Sequence, residues 1–237
     1  MSSNSAPNRT EEFVRRLAEP DPALLAQLLE PDELTARILQ ATLEQAELVG
    51  IRRTTMEDVA RRSGVGRATL YRRFPSKAVL IDAVVLAEAR RFMAGSAQAH
   101  ARAKTLEDSL VYGTVFTVSF LRDHSLIRKL LRTEPETILP SLTIDAGAIL
   151  DYATEQSVAL LRARIHGTAA ITPEQDRHLR TVAELHTRLT LSFLVTQHTS
   201  INLTTLDDTR AYVQNYLMPM IESRPNPGPS DTATPAS

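Results

Sequence analysis

Arginine and lysine side chains are concentrated in one short part of the chain, between Gly50 and Lys77. This stretch holds eight basic and two acidic residues, a net charge of +6 in a chain of 237 residues whose overall charge is −1. The remaining residues must therefore carry a net charge of −7. Clustered guanidinium and ammonium groups bind phosphate, so a nucleic-acid interface is one interpretation and a solvated helix face is the other.

Local signals divide this basic stretch into two short helices. Thr55, with an aspartate three residues on, resembles the start of a capping box and predicts a helix over Met56–Ser63. The tight turn Ser63–Gly66 follows, and a second helix over Arg67–Phe74 is expected to end before Pro75. Two short helices joined by a glycine-containing turn are typical of a helix-turn-helix, which favours the nucleic-acid interpretation.

The first turn of the second helix has the residues that a groove-entering helix needs. Gly66 and Ala68 are small and let the backbone approach DNA closely. Arg67 has the donors to bind guanine O6 and N7, and Thr69 offers a hydroxyl and a methyl group for a phosphate or a thymine. We therefore expect this turn to enter the major groove.

The stretch Thr54–Lys77 resembles the DNA-binding signature of the TetR (tetracycline-repressor-like) family, with a match over roughly residues 34–86. A tyrosine, a phenylalanine three residues on and a lysine three further carry the resemblance, after a Thr-Thr-capped helix and a Gly-Val turn. It implies that Thr55 and Tyr71 contact the DNA backbone and that Lys77 binds a phosphate. It also implies a set of residues that face the groove, namely Arg67, Ala68, Thr69 and Arg72.

Two positions depart from the family pattern. Gly66 stands where a serine cap is common, which removes one side-chain contact to phosphate. Ala46 stands where an aromatic residue often fills the core of the first helix. Tyr71 and Phe74 also have an alternative role as core residues; we expect the core for Phe74 and the DNA backbone for Tyr71.

Other chemistry has little support in the sequence. The chain has no cysteine, which excludes disulfides and thiolate metal sites. Four histidines, which lie in no clear constellation with carboxylates, predict neither a metal site nor a cofactor; they are His124, His178, His186 and His198. No nucleophile motif appears, so we expect no enzymatic activity. The polar N-terminus and the shortness of the apolar stretch 109–121 predict a cytoplasmic protein without a membrane span.

Composition and periodicity predict an all-α fold, because alanine, leucine and arginine are abundant and no stretch alternates with period two. We expect an N-terminal extension over 1–31 with two short amphipathic helices, and a three-helix helix-turn-helix domain over 32–80. A helical-bundle domain for ligand binding and dimerisation is expected over 81–222, followed by a disordered proline-rich tail over 223–237.

Helix boundaries follow from caps, glycines and prolines. Beyond the two helices of the basic stretch, helices are predicted over 33–49, from a Ser76 cap to about residue 103, and over 106–122, 125–133, 144–166, 173–198 and 205–222. Pro135 and Pro140 are expected to break the chain between the fourth and fifth of these.

The family resemblance implies that the last two helices pair with their copies in a homodimer. The candidate interface residues are Val182, Leu185, Leu189 and Phe193 on one helix and Val213, Leu217, Met220 and Ile221 on the other. Apolar stripes of this kind must be buried against something, and the core of the same chain is the alternative.

The resemblance also implies an inducer pocket among the middle helices. The candidate lining residues are Met93, Tyr112, Phe116, Phe120 and Tyr152, each with plain core as the alternative. The scarcity of charge over 109–121 suggests an apolar or lipid-like effector.

We therefore expect a ligand-responsive repressor that binds a palindromic operator as a homodimer and is released by a small apolar effector. An effector would act by shifting the helix that begins at Ser76, which is continuous with the DNA-binding domain. Two alternatives remain open: a DNA-bound interaction protein with no small-molecule effector, and a helical enzyme with an incidental N-terminal module.

Overall fold

Residues 31–196 and 198–223 are described by a computed structural model, and within these ranges the chain forms helices and no strands. The predicted all-α fold is confirmed. The two amphipathic helices expected before residue 31, and all but the first residue of the tail expected over 223–237, lie outside the described residues. In the described part of the chain no helix is both long enough and apolar enough to cross a membrane.

Three helices make the N-terminal domain: α1 (Glu33–Val49), α2 (Met56–Ser63) and α3 (Arg67–Arg73). Asp32 caps α1 by accepting the Thr35 N–H at 2.7 Å. The helices pack around one apolar cluster, in which four side chains are fully buried: Ile38, Val59, Leu70 and Phe74. The predicted bounds of α1 and α2 are those observed, and α3 ends one residue earlier than predicted.

The long helix α4 (Lys77–Ala101) links the N-terminal domain to the rest of the chain. Its predicted cap is present, because the Ser76 hydroxyl accepts the Val79 N–H at 3.3 Å. The first turns of α4 are buried in the N-terminal cluster through Leu80, Ala83 and Val84. The same rigid element therefore belongs to both domains.

Four helices follow: α5 (Leu106–Asp123), α6 (Ser125–Thr133), α7 (Pro135–Leu142) and α8 (Gly147–Ile165). The prediction that prolines break the chain before residue 144 was wrong, because α7 occupies that segment. Pro135 stands in the first turn, where a backbone N–H would lack a partner anyway. Pro140 removes one hydrogen bond from a helix of eight residues, which this short element tolerates.

The last helices are α9 (Pro173–Val195), α10 (Leu206–Tyr212) and α11 (Met218–Glu222), with a π-helical turn over Val213–Leu217 between the last two. A second apolar cluster unites α5, α8 and α9 with this C-terminal segment. Its best-buried members include Val111, Val158, Leu179, Val213 and Leu217.

Candidate nucleic-acid interface

Helix α3 buries little of its surface in the protein core. Among its residues only Leu70 is buried, and the neighbouring Phe74 completes the anchor. The remaining face is open, with Thr69 half-buried and the other predicted groove residues exposed: Gly66, Arg67, Ala68 and Arg72. A helix held along one edge in this way presents its other sides to a partner.

The N-terminus of α3 is free of side-chain caps. Gly66 is the N-cap residue and makes no side-chain hydrogen bond. A Cβ built at Gly66 would meet no atom within 4 Å, so packing does not require glycine there. The first backbone N–H groups of α3 are left available for an anionic partner such as phosphate.

Tyr71 and Phe74 have different environments. Phe74 is fully buried, whereas Tyr71 is 44% exposed. The expectation of a core role for Phe74 is confirmed by this burial. The Tyr71 ring lies on the open surface, which is compatible with the contact to the DNA backbone that the resemblance implies.

The arginines of the basic stretch fall into two groups. Four have hydrogen-bonded partners within the chain: Arg52 pairs with Glu136, Arg61 pairs with Asp58, Arg62 donates to Gln45 at 3.0 Å, and Arg73 donates to Asp32 at 2.8 Å. Arg67 lies 3.8 Å from Glu57, and both side chains are largely exposed, at 71% and 44%. An exposed pair at this distance contributes little, so Arg67 is able to exchange Glu57 for a DNA base.

Hydrogen bonds and ion pairs lower the pKa of two carboxyl groups, those of Asp32 and Asp58. The pKa of Asp32 is lowered to about 2 by the Thr35 hydroxyl, the Thr35 backbone N–H and the Arg73 guanidinium. The pKa of Asp58 is lowered by the Thr55 hydroxyl and then by Arg61. Both carboxylates stay ionised at neutral pH, so each keeps the charge that attracts its arginine; Arg73 is the less exposed of the two, at 29% against 76% for Arg61.

Thr55 and Lys77 meet at the turn that precedes α2. The Thr55 hydroxyl accepts the Asp58 N–H at 3.1 Å and caps α2. The Lys77 ammonium, at the first residue of α4, donates to the Arg52 carbonyl at 2.9 Å. The two predicted backbone-contacting residues are therefore placed on either side of one turn.

The five candidate pocket residues divide among three sets of contacts. The Tyr152 hydroxyl donates to the Met93 sulfur at 3.1 Å, which joins α8 to α4. Phe116 and Phe120 stack on each other with ring centroids 5.7 Å apart, whereas Tyr112 packs against the second apolar cluster. Sequence reasoning missed Phe92, whose ring lies 5.6 Å from Phe116 and 5.3 Å from Phe120. Its position beside Met93 was a usable signal.

A separate open groove of about 270 Å³ lies between α5, α9 and the segment that follows α9. Apolar side chains form much of its lining, namely Val118, Leu121, Phe193, Leu194, Ile201 and Leu203. None of the five candidate pocket residues lines this groove. Among the candidates from the last two helices, Phe193 alone reaches this groove.

The candidate dimer residues divide by burial. Four are buried in the second cluster of the same chain: Val182, Val213, Leu217 and Ile221. Phe193 and Met220 are half-buried against that cluster, while Leu185 and Leu189 are 45% and 44% exposed. Tyr216, which sequence reasoning missed, is 64% exposed. Its ring lies 6.0 Å from that of Tyr212.

Two of the described histidines, His124 and His178, make pairwise contacts with other helices. Within the described part of the chain, no three His, Asp or Glu side chains come together as metal ligands. His124 Nε2 lies 3.0 Å from the Glu88 carboxylate, and His178 Nε2 lies 3.1 Å from the Ile221 carbonyl. Both contacts join helices within the fold.

Comparison with known proteins identifies the N-terminal domain. Residues 38–84 match the model of the bacterial regulatory proteins of the tetR family, which confirms the resemblance drawn from Thr54–Lys77. None of the curated proteins matches the chain.

Solved structures share the fold across both domains. The TetR family repressor AlkX from Dietzia sp., implicated in biodegradation of n-alkanes, is 22% identical with a TM-score of 0.55, over 78% of this chain and 98% of that chain. The fatty acid degradation regulator FadR from Bacillus halodurans is 14% identical with a TM-score of 0.51, over 81% and 96%. A TetR-like transcriptional regulator from Rhodococcus sp. is 14% identical with a TM-score of 0.50, over 81% and 97%.

Proposed function

We infer that this chain, whose N-terminal domain belongs to the tetR family of bacterial regulatory proteins, is a transcriptional regulator, and we propose how it works. It binds a palindromic operator as a homodimer, represses transcription, and is released by a small apolar effector. A protein with this target acts on chromosomal DNA, in the cytoplasm, and as a regulator rather than an enzyme.

The open face of α3 is the observation that carries this proposal. A seven-residue helix that buries only Leu70 exposes Arg67, Ala68 and Arg72 within the stretch Gly50–Lys77, whose net charge is +6. Arg67 would read a guanine, and Tyr71 with Lys77 would hold the phosphates on either side. Base contacts supply specificity in this arrangement, and phosphate contacts supply most of the affinity.

Dimerisation follows from the reach of one recognition helix. Seven helical residues span about 10 Å, so a single copy reads too few base pairs for specific binding. Leu185 and Leu189 on α9, together with Tyr216, are exposed apolar side chains on the two C-terminal elements that the resemblance assigns to the interface. The proposed interface is centred on these three residues.

An effector site is proposed in the aromatic zone, which we define as Phe92, Met93, Phe116, Phe120 and Tyr152. These side chains lie on α4, α5 and α8, and each remains half-buried or exposed. An apolar ligand would gain by covering them. Two structural neighbours, AlkX and FadR, are implicated in n-alkane biodegradation and fatty acid degradation, which supports an effector with a hydrocarbon chain.

Helix α4 links this zone to the DNA. Lys77 begins the helix and Phe92 and Met93 lie four turns later, so a displacement at the aromatic zone moves the N-terminus of α4 as well. The paired recognition helices must sit about 34–36 Å apart for sites one turn apart, and a change in that spacing would weaken binding. A ligand achieves this only through unequal affinity for the two states.

A selection experiment tests the DNA-binding part of the proposal. Duplexes would be selected from a random pool by the full chain, and affinity measured against a scrambled duplex at several salt concentrations. The expected result is a palindromic sequence, bound with an affinity that falls steeply with salt. Failure to enrich any sequence, together with salt-independent or absent binding, would refute it.

Ligand screening separates the proposed repressor from a DNA-bound protein without an effector. Alkanes, fatty acids and aromatic compounds would be tested for an increase in melting temperature and for release of the selected duplex. A hit that does both supports the effector model, because ligands that bind only the folded state stabilise it by mass action. If no ligand does so and the chain still binds DNA, the alternative function is favoured.

A further inference from the structure

The turn Gly50–Thr54, here called the 50–54 turn, is held from the regulatory side of the molecule by helix α7. Glu134 stands at the corner between α6 and α7 and is only 6% exposed. Its carboxylate accepts the Arg52 N–H at 3.2 Å, although the two residues are 82 positions apart in the chain. A buried carboxylate with a backbone partner in the other domain is a specific contact rather than a solvated charge.

The conformation of Gly50 and its lack of a side chain leave room for the Glu134 carboxylate. Its φ is +90°, a conformation that strains any other residue. A Cβ at this position would also overlap the carboxyl group of Glu134. The glycine therefore serves two purposes, since it ends α1 and leaves space for an acidic side chain from α7.

Other bonds of the 50–54 turn lead to the proposed DNA contacts. The Thr54 hydroxyl donates to the Gly50 carbonyl at 2.7 Å and closes the turn just before Thr55. The Arg52 carbonyl accepts from the Lys77 ammonium at 2.9 Å. Residue Arg52 is thus fixed through its N–H by Glu134 and through its carbonyl by Lys77.

We propose that Glu134 is a positioning residue for DNA binding: its buried carboxylate fixes the 50–54 turn and thereby places Thr55 and Lys77 against the DNA backbone. The inference rests on the proposed function. It adds a polar connection between the two domains, at the start of α7, beside the continuous helix α4 and the packing of Leu126 and Leu130 of α6 against the N-terminal cluster. Any shift of α7 is then transmitted to the phosphate-contacting residues.

The test compares three Glu134 variants on the selected and the scrambled duplex. Glu134→Gln keeps an acceptor oxygen in place and should bind both duplexes within about twofold of the unsubstituted chain. Glu134→Asp keeps the charge but withdraws it by one methylene, and Glu134→Ala removes it. Both should lose about five- to tenfold in affinity on both duplexes, with the slope of log K against log salt reduced by about 0.9, as for one lost phosphate contact.

Glu136→Gln is the matched control. Glu136 lies two residues on, in the first turn of α7, and pairs with the guanidinium of the same Arg52, but the two side chains are 58% and 66% exposed. An exposed pair is worth little, so this variant should change affinity by less than about threefold. Circular dichroism and melting curves establish that each variant is folded.

The outcomes distinguish failure of the proposed DNA binding from failure of the proposed role of Glu134. If the unsubstituted chain binds no duplex, the proposed function fails, and this inference fails with it. If the chain binds DNA but Glu134→Asp retains the affinity and salt slope of Glu134→Gln, Glu134 is not a positioning residue. Should Glu134→Ala prove unfolded, the comparison of the aspartate and glutamine variants still decides.

Discussion

The two domains of this protein differ in where they keep their large apolar side chains. Among the described residues, the four largest fully buried side chains all belong to the cluster around the N-terminal domain: Phe74, Ile38, Leu70 and Leu80. In the C-terminal domain the fully buried apolar residues are valines, and the phenylalanines of the aromatic zone stay half-buried.

This difference matches two tasks. A helix that reads DNA must be held in one geometry, and a closely packed core of large side chains achieves that. A site that accepts an apolar ligand must keep apolar surface unsatisfied until the ligand arrives. We therefore expect substitutions in the closely packed N-terminal core and in the exposed aromatic zone to have different effects.

The largest expected effect is on stability. Phe74→Ala should lower the free energy of unfolding by about 3–5 kcal/mol, because it removes a fully buried ring from the N-terminal core. Phe116→Ala should cost less than about 2 kcal/mol, since the Phe116 ring is only half-buried. Urea unfolding of both variants measures the difference. Equal costs would remove the distinction between the two regions.

The second effect is on DNA recognition. Arg67→Ala should reduce the preference for the selected over the scrambled duplex by about 1–3 kcal/mol, because a bidentate base contact is lost. Tyr71→Ala should weaken binding to both duplexes alike, as expected for a phosphate contact. Fluorescence anisotropy gives both ratios. If selectivity survives in Arg67→Ala, this residue is not a base reader.

The third effect is on the pH dependence of stability. His186 stacks on Tyr212 at 6.5 Å, and its Nδ1 is buried without a hydrogen-bond partner among the described residues. Burial lowers the pKa of His186 to about 4 from 6.5. Between these values the unfolded chain binds a proton that the folded chain does not, so stability falls as pH drops through this window.

Replacing the group should remove that pH dependence. His186→Gln is expected to reduce the slope of unfolding free energy between about pH 6.5 and 4 by up to ~1.4 kcal/mol per pH unit. His198→Gln, at an exposed position, is the control variant. Chemical denaturation at a series of pH values measures it. Identical slopes in both variants would show that His186 does not titrate differently on folding.

The smallest effect is expected at the N-terminus of α3. Gly66→Ser supplies a side-chain cap in open space, so it should stabilise the protein by only a few tenths of a kcal/mol. The added hydroxyl should also tighten binding to the selected and the scrambled duplex alike. Melting curves and anisotropy titrations check the two expectations. A loss of affinity would show that the backbone at Gly66 approaches DNA too closely for a side chain.

Local signals explain what could be predicted from the sequence. The bounds of α1, α2 and α6 follow from caps and turns that lie within a few residues of each helix end. Helix α7 escapes prediction because Pro135 and Pro140 both indicate a helix break, although Pro135 occupies a first-turn position that accepts proline. The basic stretch identified the DNA-binding domain because its charge and helix signals are contiguous.

Contacts between distant segments explain what could not be predicted. Glu134 gains its role from Arg52, 82 residues away, and nothing in its own neighbourhood indicates this. Apolar periodicity marks Val213 and Leu217 as one side of a helix without saying which surface that side meets, and the structure buries both within the same chain. Periodicity alone does not distinguish a core from an interface.

The central claim is that two copies of the α3 helix are presented together to one DNA duplex. Sedimentation of the full chain with the selected duplex in dilute salt tests this most directly. The account predicts a complex of two chains per duplex that dissociates as salt is raised. A chain that sediments as a monomer and leaves the duplex unbound would contradict it.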